Sequence, residues 1–168
     1  MLSKVREAIL LLFSITLFVA FTGCGGGDEA TKKKSNAEGQ ESGVENTSGL
    51  TDFQLKNGIG PVTEPLKLSE KPDPAKVAKG EALFKEKCET CHKLDEKLVG
   101  PAQRDVIERR TPEYIVNMIM NPAEMLEKHP EAKKMLAEYL TPMTYQDVTL
   151  DQALDILEYF RSVDPKNK

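Results

Sequence analysis

The 168-residue chain contains no Trp, and only 6% of its residues are aromatic. An apolar core built from this composition is modest, so a bound cofactor would add stability that the core lacks. Charges of both signs nearly balance at a formal net charge of −4, so the chain has no general basic surface and nucleic acid is not an expected partner. The three cysteines, Cys24, Cys88 and Cys91, are odd in number and do not fit a simple disulfide framework.

The N-terminus carries the features of an export signal. Two basic residues precede a short apolar run over residues 8–21, whereas a membrane-spanning helix needs about 20 apolar residues. Residues 21–24, FTGC, resemble a bacterial lipobox, in which the cysteine is acylated and becomes the new N-terminus. We therefore predict a lipoprotein signal peptide over 1–23 and lipid attachment at Cys24. The predicted location is the bacterial cell envelope, facing the periplasm or the outside; an uncleaved N-terminal anchor is the alternative.

Two segments separate this signal from the folded domain. Residues 24–49 contain almost no large apolar side chain and are rich in Gly, Ser, Glu and Lys, which predicts a disordered, flexible tether. Such a tether has a root-mean-square span of roughly 25–30 Å. Residues 50–71 carry scattered apolar side chains among prolines that argue against a helix interior. We expect an extended arm there, laid on a domain that spans 72–168.

The pattern of the domain predicts an all-α fold. N-cap residues and prolines mark helix starts at Asp73-Pro74, Thr111-Pro112 and Asn121-Pro122, and a capping box joins Thr149 to Gln152. His129-Pro130 should break the helical stretch that follows Asn121-Pro122. No segment shows sustained strand alternation, so we expect short helices with long irregular connections.

Residues 88–92, CETCH, form a C-x-x-C-H motif, which is the signature of c-type haem attachment. Cys88 and Cys91 share one face of a helical turn, so both thiols can add to the two vinyl groups on one porphyrin edge. His92 can then place an imidazole nitrogen on the iron. We therefore predict one covalent haem c. A zinc site would need two further ligands, whereas only His129 is left, and a thioredoxin-like pair would need a βαβ setting.

Residues from about 72 to 165 resemble a class I mono-haem cytochrome c domain. The residues that carry the resemblance, besides the motif, are Gly80 and Phe84 in the first helix, Ile156 and Tyr159 in the last, and Gly100-Pro101 after the motif. The resemblance implies short helices packed around one haem. It also implies that the Pro101 carbonyl accepts the N–H of His92, which would fix the tautomer of the imidazole and raise its basicity.

The second iron ligand has six candidates, namely His129, Met118, Met120, Met125, Met135 and Met143. All the methionines except Met143 lie at helical spacing, where methionine usually fills a core. Met143 lies on a loop after Thr141-Pro142 and directly before the last helix. The resemblance implies that the ligand methionine lies at this place, so Met143 is the predicted ligand. Many family members have a proline after this methionine, whereas here Pro142 precedes it.

With both axial positions filled by His92 and Met143, the expected function is one-electron transfer between Fe(III) and Fe(II), without catalysis by the chain itself. The expected partners are a respiratory reductase, an oxidase or a quinol-oxidising complex, reached from the membrane through the lipid anchor. One alternative is an enzyme or sensor with an open or labile sixth position, such as a small peroxidase or gas sensor. Another is an electron-entry subunit of a larger complex.

Overall fold

The computed structural model describes residues 48–167. The predicted signal peptide (1–23), Cys24 and all but the last two residues of the predicted tether (24–49) lie outside the described residues. Within them the chain forms seven α-helices and no β-strand, so the all-α prediction is confirmed. The helices are α1 (Asp52–Asn57), α2 (Pro74–Leu83), α3 (Val106–Arg109), α4 (Pro112–Met120), α5 (Pro122–Lys128), α6 (Pro130–Tyr139) and α7 (Leu150–Val163). A π-helical turn, Phe84–Cys88, continues α2, and a 3₁₀ turn, Pro165–Asn167, follows α7. No helix between residues 48 and 167 has the length and apolar character needed to cross a membrane.

Side-chain caps begin the helices at the predicted positions. The Asp73 carboxylate accepts hydrogen bonds from the first backbone N–H groups of α2, and Thr111 caps α4 in the same way. Thr149 and Gln152 form a reciprocal capping box at the start of α7. His129 has extended backbone angles, ends α5 and caps α6 with its own side chain, so the predicted helix break is confirmed.

The arm predicted as extended over 50–71 begins instead with a helix. Thr51 and Gln54 form a capping box that starts α1, and Gly58, with a φ of 79°, ends it. The prolines from which extension was inferred lie beyond α1, at 61, 65 and 72, where the chain is non-helical. The prediction was therefore wrong for residues 52–57, where the capping-box spacing was the overlooked signal.

Buried polar side chains of α4 hold the arm. The Asn117 amide accepts from the backbone N–H of Val62 at 2.9 Å and donates to the Val62 carbonyl at 2.9 Å and to that of Asn57 at 3.0 Å. The Glu113 carboxylate accepts from the N–H of Leu66 at 2.7 Å. Each of these bonds satisfies an arm backbone group that has no regular secondary-structure partner. The arm is therefore part of the folded body and supports α4 from one side.

A buried ion pair of α7 holds the end of the arm. Arg161 and Glu158 are 2.6 Å apart, and both side chains are largely buried. The guanidinium of Arg161 also donates to the carbonyls of Ser69 and Glu70, while Glu158 accepts from the backbone N–H of Asp73 at 3.0 Å. These hydrogen bonds to backbone groups compensate the two side chains for the water lost on burial. They also hold the segment that leads into α2.

Helices α2 and α7 form the main contact of the fold. A Cβ atom at Gly80 would overlap the backbone carbonyl of Asp155, so the two helices touch through their backbones. One turn later the Phe84 ring lies 5.6 Å from the ring centres of both Tyr159 and Phe160. This crossing places the C-terminal end of α2, and the motif after it, beside the main hydrophobic core.

We expect Gly80→Ala to lower the free energy of unfolding by about 1–3 kcal/mol, because the added methyl group must push the two helices apart. Denaturant unfolding of the haem-loaded protein, followed by circular dichroism, measures this change. Lys79→Ala, at the adjacent exposed position of α2, is the matched control and should change stability by no more than about 0.5 kcal/mol. Equal midpoints for the two variants would show that the backbones are not in contact.

Candidate functional site

An apolar cleft opens beside the motif. It contains about 1220 Å³ of space free of protein atoms, including solvent at its mouth. Its walls come from the π-helical turn and the motif, the loop after the motif, helices α3 to α7, and the loop before α7. The structure brings together on these walls all five residues that were predicted to contact or support the haem: Cys88, Cys91, His92, Pro101 and Met143.

The local backbone explains how the motif faces the cleft. The π-helical turn ends at Cys88, and the widened turn is closed by a bond from Glu89 N–H to the Phe84 carbonyl at 2.9 Å. The N–H groups of Cys91 and His92 then both donate to the Cys88 carbonyl, at 3.1 and 2.9 Å. This compact turn places both cysteines and the histidine on one wall.

The electrostatics of Cys88 argue against a redox dithiol. Burial raises the pKa of its thiol to about 11, an effect that the nearby charge of Lys87 only partly opposes. Catalytic cysteines of dithiol oxidoreductases instead have pKa values below the ordinary range, because the thiolate is the nucleophile. The half-buried thiol therefore suits a structural attachment point on an apolar wall better than a reversible disulfide.

The ring of His92 is enclosed by the loop that follows the motif. Its Nδ1 atom lies 3.0 Å from the Pro101 carbonyl, so an Nδ1 proton donated there would leave Nε2 free to bind a metal. Burial lowers the pKa of His92, while the Pro101 carbonyl acts in the opposite direction. A Cβ atom at Gly100 would overlap the imidazole, so this position needs glycine.

Gln103 is a site residue that the sequence did not reveal. Its buried side-chain nitrogen lies 2.9 Å from both the Pro101 carbonyl and Nδ1 of His92. The carbonyl can accept from the Gln103 amide as well as from the ring, which holds the loop against the imidazole. A glutamine eleven residues after the motif histidine has no spacing signal, so only the fold of the loop identifies it.

The methionine candidates separate by position. Met118, Met135 and Met143 line the cleft. Met125 is fully buried elsewhere, in a second apolar cluster, where its sulfur accepts the backbone N–H of Ile59 at 3.0 Å. Met120 packs against the main core and does not line the cleft. Three methionines therefore remain as candidate ligands.

His129 is occupied by structural contacts. It is 1% exposed, and its Nε2 atom lies 3.1 and 3.2 Å from the carbonyls of Gln54 and Leu55 in α1. Its other nitrogen accepts the backbone N–H of Glu131 at 3.2 Å. Burial lowers its pKa, an effect that the carbonyls of Leu55 and Gln54 oppose. His129 does not line the cleft, and residues 48–167 contain no group of three or more His, Cys, Asp and Glu able to hold a metal, so the zinc alternative lacks its ligands.

Comparisons with known proteins agree with this geometry. A family model described as Cytochrome c matches residues 77–164. A cytochrome c2 from Rhodopseudomonas palustris is 28% identical, with coverage of 52% of this chain and 97% of that protein. Another cytochrome c2 from the same organism is 58% identical over 34 residues, which span 20% of this chain and 29% of that protein.

Solved structures give the same family. A cytochrome c from Rhodothermus marinus is 44% identical, with a TM-score of 0.64 and coverage of 68% of this chain and 97% of that one. An engineered Rhodothermus marinus cytochrome c bound to a carbene intermediate is 43% identical, with a TM-score of 0.60 and coverage of 66% and 96%. The chain belongs to the cytochrome c family. Its cofactor is a covalently attached haem c, and its role is haem-based electron transport.

We expect the haem to stay on the polypeptide through acid–acetone extraction, because thioethers at Cys88 and Cys91 resist conditions that dissolve coordinated haem. The double variant Cys88→Ala/Cys91→Ala should release all of its haem in the same extraction. Absorbance of the precipitated protein and of the solvent phase measures the partition. Complete loss of haem from the unaltered protein would contradict attachment at these two residues.

Proposed function

We propose that this chain is a one-electron carrier whose haem iron is bound axially by His92 and Met143. The observation that supports the proposal is that Met143, on a loop, lines the same cleft as the motif histidine. With a thioether as the second ligand, the ferrous state is stabilised and the reduction potential rises. The haem supplies the Fe(III)/Fe(II) couple, and the chain supplies the two ligands and the apolar walls.

The surroundings of the other two methionines favour Met143. Met118 and Met143 each pack against an apolar cluster, but Met118 lies within α4 and is held there by the packed helix. Met135, on α6, has its sulfur 4.0 Å from a guanidinium nitrogen of Arg110. Met143 instead follows Leu140, whose left-handed conformation, with a φ of 55°, ends α6 and turns the chain into the loop. A loop residue can adjust its approach to the iron without moving a packed helix.

A filled coordination sphere favours electron transfer over catalysis. Neither peroxide nor a small gas can bind the iron without displacing an axial ligand, so the enzyme and sensor alternatives need a labile Met143. The relative with a carbene intermediate is an engineered protein. The proposed function of the present chain is therefore to accept and release single electrons through the cleft mouth.

The proposed setting is the bacterial cell envelope. The basic and apolar pattern over 1–23 and the FTGC sequence ending at Cys24 support export and lipid attachment. The polar composition of 24–49 supports a flexible connection, which lets the haem domain reach membrane-bound partners. A respiratory reductase, an oxidase or a quinol-oxidising complex fits as the exchange partner of such a tethered carrier.

We expect Met143→Ala to abolish the weak long-wavelength charge-transfer absorption of the ferric haem and to lower the reduction potential, because a thioether favours Fe(II). The variant should also bind carbon monoxide rapidly in the ferrous state, whereas the unaltered protein should resist it. Met118→Ala and Met135→Ala are the matched controls, since both side chains line the cleft. They should keep the absorption band.

Two results would refute this proposal. The first is loss of the band in a control variant while Met143→Ala retains it, which would identify another ligand. The second is rapid carbon monoxide binding, or substantial peroxide turnover, by the unaltered protein, which would favour the enzyme or sensor alternative.

For the membrane anchor, we expect the mature protein to sediment with membranes and to begin at Cys24. Cys24→Ser should prevent acylation and cleavage by the lipoprotein route, because serine has no thiol to accept the lipid. Membrane fractionation and mass spectrometry of the N-terminus measure both outcomes. A soluble unaltered chain with a different N-terminal residue would refute the lipoprotein assignment.

A further inference from the structure

The loop after the motif carries a polar side chain whose contacts the proposed function does not use. Gln103 is 8% exposed and lines the cleft. Its side-chain nitrogen lies 2.9 Å from the Pro101 carbonyl and 2.9 Å from Nδ1 of His92. A buried amide group needs hydrogen-bond partners, because burial removes it from water. The two atoms that this amide meets are the two ends of the hydrogen bond that supports the motif histidine.

The three atoms comprise two donors and one acceptor. When Nε2 of His92 binds iron, the proton of the neutral imidazole is on Nδ1, so Nδ1 donates. The side-chain nitrogen of Gln103 also only donates. The Pro101 carbonyl lies 3.0 Å from Nδ1 and 2.9 Å from this nitrogen, so both donors reach it. It therefore accepts two hydrogen bonds, and each is weaker than the bond that the carbonyl would accept from one donor alone.

Backbone hydrogen bonds hold Gln103 in this place. Its N–H lies 3.0 and 3.1 Å from the carbonyls of Lys93 and Leu94, and its own carbonyl accepts the N–H of Val106 at 3.2 Å. Residue 103 is thus fixed between the segment that directly follows His92 and the first residue of α3. The side chain extends from a fixed backbone position, so its contact with the Pro101 carbonyl is a feature of the folded loop.

We propose that Gln103 is a positioning residue that raises the reduction potential by weakening the hydrogen bond between His92 and Pro101. A strong bond from Nδ1–H makes an imidazole ligand more basic, and a more basic ligand stabilises Fe(III) relative to Fe(II). By donating to the same carbonyl, Gln103 lowers the basicity of His92 and shifts the preference towards Fe(II). The inference rests on the proposed one-electron function with His92 as ligand, and it is independent of which residue is the second ligand.

A role for Gln103 in holding the loop alone is the alternative to this proposal. Loss of such a role would loosen the loop and let water reach the imidazole, which also lowers the potential, because solvent stabilises the more highly charged iron. The potential by itself therefore does not separate the two roles. The Nδ1 proton of His92 does separate them. Removal of a competing donor strengthens the hydrogen bond of this proton, whereas loosening of the loop weakens it.

The test compares Gln103→Met with the unaltered haem-loaded protein, because methionine keeps the length of the side chain and removes its amide group. The variant should have a lower reduction potential. We expect the ratio of Fe(III) to Fe(II) at a fixed applied potential to rise about three- to tenfold, which is about 30–60 mV for a one-electron couple. In the reduced protein, the proton NMR signal of His92 Nδ1–H should move downfield, and this proton should exchange more slowly with solvent.

Gln146→Met is the matched control for the substitution itself. Gln146 also lines the cleft, but its side-chain nitrogen donates to the hydroxyl and the carbonyl of Thr144, at 2.9 and 3.1 Å. The control removes an amide from the same cleft without removing a donor to the Pro101 carbonyl. It should leave the position and the exchange rate of the Nδ1–H signal of His92 unchanged.

Arg104→Met is the control for loosening of the loop. The guanidinium of Arg104 pairs with Asp95 at 2.8 Å and lies 3.3 Å from the Val163 carbonyl, so it joins the loop to the end of α7. Its removal should loosen the loop while the Gln103 amide is retained. We therefore expect faster exchange of the Nδ1 proton of His92 in this variant, with no downfield movement of its signal.

Two results would overturn the proposal. The first is an unchanged or higher potential in Gln103→Met; a higher potential would mean that the amide accepts the Nδ1 proton through its oxygen. The second is an upfield, faster-exchanging Nδ1 proton in that variant, which would assign Gln103 to the loop alone. Failure of the proposed function would appear separately, as absence of the charge-transfer band and rapid carbon monoxide binding in the unaltered protein.

Discussion

The arrangement of the site depends on the backbone contact between α2 and α7. Because Gly80 has no side chain, the backbone of α2 can contact the backbone carbonyl of Asp155 in α7. The π-helical turn continues α2 without a loop, so fixing α2 on α7 also fixes Phe84 and Cys88. The motif therefore lies on a rigid base, and two backbone hydrogen bonds to the Cys88 carbonyl close the turn from Cys88 to His92.

The opposite wall is stabilised by a part of the chain that precedes the family match. Residues 77–164 match the cytochrome c family, whereas the arm lies before them. The bonds from Asn117 and Glu113 to arm backbone groups hold α4 from behind, and His129 ties α1 to the junction of α5 and α6. The α4 wall of the cleft is thus supported by residues that lie outside the matched segment 77–164.

Local signals in the sequence predicted most helix starts, and the motif predicted the haem attachment residues. Capping side chains act within one helical turn, so the starts at Asp73, Thr111 and Thr149 could be recognised without knowing the fold. Helix α1 had the same kind of signal, but the prolines that follow it obscured it. The single turn of α3 is too short for a periodic pattern. Gln103 and the arm contacts were not predictable, because they join residues that only the folded chain brings together.

The contacts that complete the fold have a consequence for the order of events during biosynthesis. The Asp73–Glu158 hydrogen bond joins residues 85 apart in sequence, and the Val62–Asn117 bond joins residues 55 apart. Contacts of such long range form slowly, because the loop between them must close first. Since α7 is also the last helix to be synthesised, α2 lacks its packing partner while the chain is still emerging. The close approach at Gly80 therefore forms only after Asp155 has been synthesised, and the base on which the motif lies is completed late in folding.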